Sequence, residues 1–108
     1  METATERWQA ILDARAQQMD AAYARLGRTS ADFWDRRARG FHRATRDTIT
    51  ADPFFHRLKA EVTPQTTVLD VGAGTGRFTL ALAPQARHVT ALEPNASMLS
   101  YLRQDAHE

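Results

Sequence analysis

The residues of this chain best placed to do chemistry are two carboxylates flanking a run of glycines. Asp70 precedes Gly72-Ala73-Gly74-Thr75-Gly76, and Glu93 follows further along. Glycines at this spacing let a backbone turn sharply and approach a ligand with no Cβ in the way. A helix opening near Gly76 would aim free amides and the positive end of its dipole at that ligand. A carboxylate such as Glu93 accepts two hydrogen bonds at once and suits a vicinal diol, as on a ribose.

The surrounding pattern supplies the elements that would hold these groups. Thr67-Val68-Leu69-Asp70-Val71 is short, β-branched and mostly apolar, the pattern of a buried parallel strand. After the glycine turn, Phe78, Leu80, Ala81, Leu82 and Ala83 read as helix until Pro84 and a turn near Gln85. His88 to Glu93 reads as a second strand, and Pro94-Asn95 opens another helix carrying Met98, Leu99 and Leu102. A helix of about ten residues descends roughly 15 Å. A strand climbs back roughly 17 Å over about five steps. Glu93 is therefore expected level with the glycine loop, at the carboxyl edge of the sheet.

Two details select a ligand. A dinucleotide fingerprint reads G-x-G-x-x-G, and here the residue after Gly76 is Arg77. Asp70 would also repel a pyrophosphate, whereas it suits a ligand bearing an ammonium and a sulfonium. S-adenosylmethionine has both charges, a ribose for Glu93 and no phosphate.

Val68 to Phe78 resembles the first motif of class I, Rossmann-like, S-adenosylmethionine-dependent methyltransferases. Val89-Thr90-Ala91-Leu92-Glu93-Pro94 resembles their second. The similarity extends over about residues 34 to 105 and takes in the Phe33-Trp34-Asp35-Arg36-Arg37-Ala38 segment found in small-molecule members. The resemblance implies an α/β fold in which N-terminal helices precede the first βαβα of a Rossmann-like sheet. It also implies that Asp70 meets the methionine end of the cofactor. Gly72, Ala73, Gly74 and Gly76 would form the loop beneath it, Glu93 would take the ribose hydroxyls, and Pro94 and Met98 would line the adenine. The expected acceptor is a small molecule, and no residue is identified as the catalytic base. The family continues with further strands that cannot fit in the fifteen residues after Glu93, so a truncated chain or a fragment of a longer gene is expected.

The first half reads as helices. Thr3 and Glu6 form a capping-box pair ahead of a stripe of Trp8, Ile11, Leu12, Met19, Ala22, Tyr23 and Leu26, closed by Gly27. Ser30 is the expected cap of a second helix with Phe33, Trp34, Ala38, Phe41 and Thr45 on one face. Asp52-Pro53 starts a third, carrying Phe54, Phe55, Leu58 and Val62. The domain reading is thus a helical cap or lid over 1–63, with Trp34 and Arg37 as lid candidates, and the start of the cofactor domain over 64–108.

Composition excludes more than it selects. With 108 residues and a net charge of +1, no global field draws the chain to nucleic acid or membrane. Arg36, Arg37, Arg39, Arg43, Arg46 and His42 make the second helix basic, but Asp32, Asp35 and Asp47 interleave with them. A solvated helix face is the favoured reading, with nucleic acid not expected. The absence of cysteine removes disulfides and thiol chemistry, and the four histidines show no ligand spacing for a metal. No secretory signal or membrane-spanning run is present, so a cytoplasmic setting is the expectation. Arginine rich and with Lys59 its only lysine, the chain has the bias of a GC-rich bacterium. Other readings stay open: a non-catalytic cofactor-binding module completed by a partner, a nicotinamide dehydrogenase, or an aminopropyltransferase. Oligomeric state does not follow from the sequence.

Overall fold

The structure, a computed structural model, describes residues 1–107. Its order is α1 (Ala4–Ala24), α2 (Ser30–Thr45), a 3₁₀ turn at Ile49–Ala51, α3 (Pro53–Glu61), β1 (Thr67–Val71), α4 (Arg77–Leu82), β2 (His88–Leu92) and α5 (Ala96–Ala106). This is the expected α/β order, with helices first and a parallel β-α-β-α segment after them. The chain divides into two compact units, Met1–Phe33 and Trp34–Glu108.

In the first unit, Thr3 and Glu6 satisfy each other's backbone amides as a capping box. Gly27, at φ +65°, follows the end of α1. None of the residues of α1 is buried, and Trp8 is 61% exposed. The apolar stripe is therefore present as a pattern but covers no core. The cap of α2 lies one residue earlier than expected. Thr29 Oγ1 accepts from the Asp32 amide at 3.2 Å, and Asp32 Oδ2 accepts from the Thr29 amide at 2.7 Å, which makes Thr29 the capping residue in place of Ser30.

In the second unit, β1 and β2 pair in parallel with Thr67 opposite His88 and Val71 opposite Leu92. Ala38 of α2, Phe55 of α3, Leu82 of α4, and Met98 and Leu102 of α5 form the core. The core covers one face of the sheet, where Val68, Asp70, Val89 and Ala91 are half-buried. The opposite face is bare. Leu69 is 61% and Val71 73% exposed, so the expectation of a buried strand fails on that face. The reason is that the described residues place helices on one side only, whereas a parallel sheet is stable when covered on both. Beside the unpaired edge of β1 runs a groove of about 510 Å³ lined by Phe54, Leu58, Val62, Val68 and Phe78. No helix among the described residues is long and apolar enough to cross a membrane.

Candidate functional site

The glycine loop is bound to the end of the neighbouring strand through its backbone. The amides of Gly72 and Ala73 both donate to the Leu92 carbonyl, at 2.8 and 3.0 Å. Glu93 is the next residue after that carbonyl, so the loop and the second carboxylate meet at the carboxyl edge of the sheet. The strand stops at Leu92, one residue short of the expected end, which leaves Glu93 half-buried in the connection to α5. Among the described residues no protein group pairs with its carboxylate.

The glycines have different physical reasons to be glycine. Gly72 and Gly74 have φ of +73° and +60°, a region that costs other residues about 1–2 kcal/mol, while an added Cβ at Gly72 would meet nothing within 4 Å. Open space at Gly72 is what a loop beneath a ligand requires. Gly76 is buried at φ +91°, and a Cβ there would come 2.7 Å from Leu102 Cγ of α5. Its role is to let α5 close onto the start of α4. The helix that follows has only six residues, so little dipole accumulates along it.

Asp70 is the fourth residue of β1 and points to the covered face, where Thr79 Oγ1 donates to its Oδ2 at 2.7 Å. Pro94 is exposed. Asn95 caps α5 by accepting from the Met98 amide at 2.9 Å, and Met98 is 3% exposed in the core. Asp70, Gly72, Ala73, Gly74 and Glu93 thus share one end of the strand pair. Gly76 and Met98 lie deeper, in the packing between α4 and α5.

Three contributors escaped the sequence reading. Thr79 sits inside a run read only for apolar positions, although a threonine on the buried side of that helix was the available signal. Arg77, noted only for not being glycine, bonds through Nη1 to Asp52 Oδ2 at 2.8 Å and through Nε to Thr48 Oγ1 at 3.1 Å. That pairing, led by the hydrogen bond from Arg77, holds the Asp52 carboxyl below the ordinary carboxylate range. The other oxygen of Asp52 caps α3 by accepting from the Phe54 amide at 2.8 Å. His42, counted with the basic face of α2, is buried instead. It stacks on Tyr101 at 4.7 Å between ring centres and lies 3.4 Å from Asp105.

A methyltransferase-domain family model matches residues 68–108. A protein of Thermobifida fusca named ribosomal RNA small subunit methyltransferase A is 56% identical over 34 residues, which cover 32% of this chain and 12% of the relative. One of Methanosarcina mazei, named "Probable ribosomal RNA small subunit methyltransferase A", is 47% identical over 51 residues, 45% of this chain and 19% of its own length. One of Methanobrevibacter smithii, named "Probable cobalt-precorrin-6B C(15)-methyltransferase (decarboxylating)", is 40% identical over 47 residues, 44% of this chain and 25% of its own length. The chain therefore spans a quarter or less of the length of these relatives.

These relatives correct one expectation. A small-molecule acceptor, with nucleic acid set aside, is overturned by similarity to several proteins named as ribosomal RNA methyltransferases. The low net charge and the mixed signs on α2 misled here, because a whole-chain charge balance does not identify an acceptor. Archaeal as well as bacterial proteins are among the relatives, so the bias toward arginine does not fix an origin. Residues 68–108, which hold the glycine loop between two parallel strands, are thus similar to a methyltransferase domain.

Proposed function

We propose that residues 64–108 bind S-adenosylmethionine as the donor-holding part of a methyltransferase whose acceptor is RNA. The observation that carries this reading is the unpaired, half-buried Glu93 carboxylate beside a loop whose Gly72 leaves open space. A carboxylate without a protein partner at such a place is suited to a ribose diol. The residues present fit the cofactor in charge as well as in shape. Asp70 offers a negative group to the ammonium of the methionine end, and the Gly74 and Thr75 amides have no acceptor among the described residues. Pro94, next to Glu93 and exposed, is the proposed contact for the adenine.

Bound S-adenosylmethionine supplies an electrophilic methyl group on a sulfonium. The residues of this chain do the holding: Asp70 and Glu93 fix the two ends, and the loop between them sets the depth. Such positioning is a large part of what catalysis requires of a transfer between two bound partners. The RNA acceptor rests on the names of the relatives.

Isothermal titration of the chain with S-adenosylhomocysteine, with NAD as the control, tests the donor site. Binding of S-adenosylhomocysteine that disappears in Glu93→Ala is the expected result. Binding of NAD in its place would overturn it. For the acceptor, transfer of a tritiated methyl group to ribosomal RNA by the protein is expected, and label confined to small molecules would refute that part.

A further inference from the structure

We propose that Thr79 is a positioning residue for the amino-acid end of the donor, acting through Asp70. The inference deepens the cofactor reading above and rests on it. Thr79 lies in α4 and is 7% exposed, and its hydroxyl proton is directed to Asp70 Oδ2 at 2.7 Å. In a helix a threonine hydroxyl ordinarily turns back to a carbonyl one turn earlier. Here it reaches across to the strand. Asp70 Oδ1 has no protein partner among the described residues, so the carboxylate is held by one oxygen and free at the other.

Two consequences follow from this division. A short hydrogen bond from a hydroxyl to a carboxylate is stronger than one between two neutral groups. The bond also fixes the carboxyl rotation, which is otherwise broad for an aspartate. Oδ1 is therefore presented to an ammonium group in one orientation and with no reorganisation on binding. The β-branch of Thr79 restricts its own rotamer, so the donor oxygen is itself held in place. Thr79 touches no part of the ligand.

The test uses two ligands and four variants of the chain, one of them a double substitution. S-adenosylhomocysteine carries the amino-acid moiety, and 5′-methylthioadenosine keeps the adenosine and lacks it. Thr79→Val should weaken S-adenosylhomocysteine about tenfold, the scale of one charge-assisted hydrogen bond. The same variant should leave 5′-methylthioadenosine unchanged, and Thr79→Ser, which keeps the hydroxyl, should restore binding of the first ligand. In an Asp70→Asn background, Thr79→Val should add nothing. Equal weakening of both ligands, or failure of Thr79→Ser to restore binding in a chain with normal thermal unfolding, would show a packing role and overturn the proposal. Full binding by Asp70→Asn would instead sink the reading of Asp70 beneath it. Weak binding by Asp70→Asn beside full binding by Thr79→Val would refute the role of Thr79 alone.

Discussion

Helices α1 and α4 make opposite use of their residues. α1 has 21 residues, a complete capping box and no buried side chain. α4 has six residues, and almost every one of them is engaged elsewhere in its unit. Arg77 bonds to Asp52 and Thr48, Thr79 bonds to Asp70, Leu82 is in the core, and the preceding Gly76 lies against Leu102. The long helix is held by local terms: caps worth about 0.5–2 kcal/mol and alanines of high propensity. Six residues cannot sustain a helix alone, since isolated helices shorter than about 12–15 residues are marginal in water. α4 exists because its neighbours hold it, and they are aligned because it is there. Length is no guide to how much of the molecule depends on an element.

Gly76→Ala should sharpen that contrast most. It combines a left-handed backbone with a Cβ at 2.7 Å from Leu102, so a loss of about 2–4 kcal/mol is expected in urea unfolding. A change below about 0.5 kcal/mol would mean that α5 shifts away freely. Leu82→Ala, which empties a core position on the same helix, should cost about 2 kcal/mol or somewhat more by the same measurement.

Acid should act on the anchorage of α4 as well. The Asp52 carboxyl is held below its unfolded value, so its contribution is complete above the ordinary carboxylate range. That contribution disappears as pH falls through the lower folded value. Asp52→Asn should flatten this acid limb of a Tm-against-pH curve. An unchanged limb would show that Arg77 finds another partner. Smallest of all should be Trp8→Ala on α1. A residue 61% exposed outside any core should alter stability by no more than about 0.5 kcal/mol. A loss above about 1 kcal/mol would break the comparison, because it would reveal a packing role for α1.

What the sequence made legible tracks the range of the interactions. Thr3 with Glu6, Asp52 ahead of Pro53, Asn95 ahead of α5 and the two strands were all recognisable, since each is set by residues within a few positions. The glycine loop and Glu93 were legible for a related reason: spacing along one α-β step fixes their shared level. Less visible were the pairings across the fold. His42 looked polar because its neighbours on α2 are arginines, yet Asp105 and Tyr101, far along the chain, decide its burial. The stripe on α1 misled in the other direction, because periodicity shows that a face exists and not that anything covers it. The acceptor was misjudged from charge balance, a property of the whole chain applied to a question about one surface.

The parallel register has a consequence for the order of assembly. Thr67 pairs with His88 and Val71 with Leu92, a constant offset of 21 residues. A crossover between parallel strands needs about a dozen residues or more, so this loop is among the shorter ones geometry permits. Closing it costs little ordering entropy, and contacts of small sequence separation form early in folding. The loop amides that bond to the Leu92 carbonyl lie inside the same short span. As the chain emerges, the glycine loop can anchor on the Leu92 carbonyl as soon as β2 has been made.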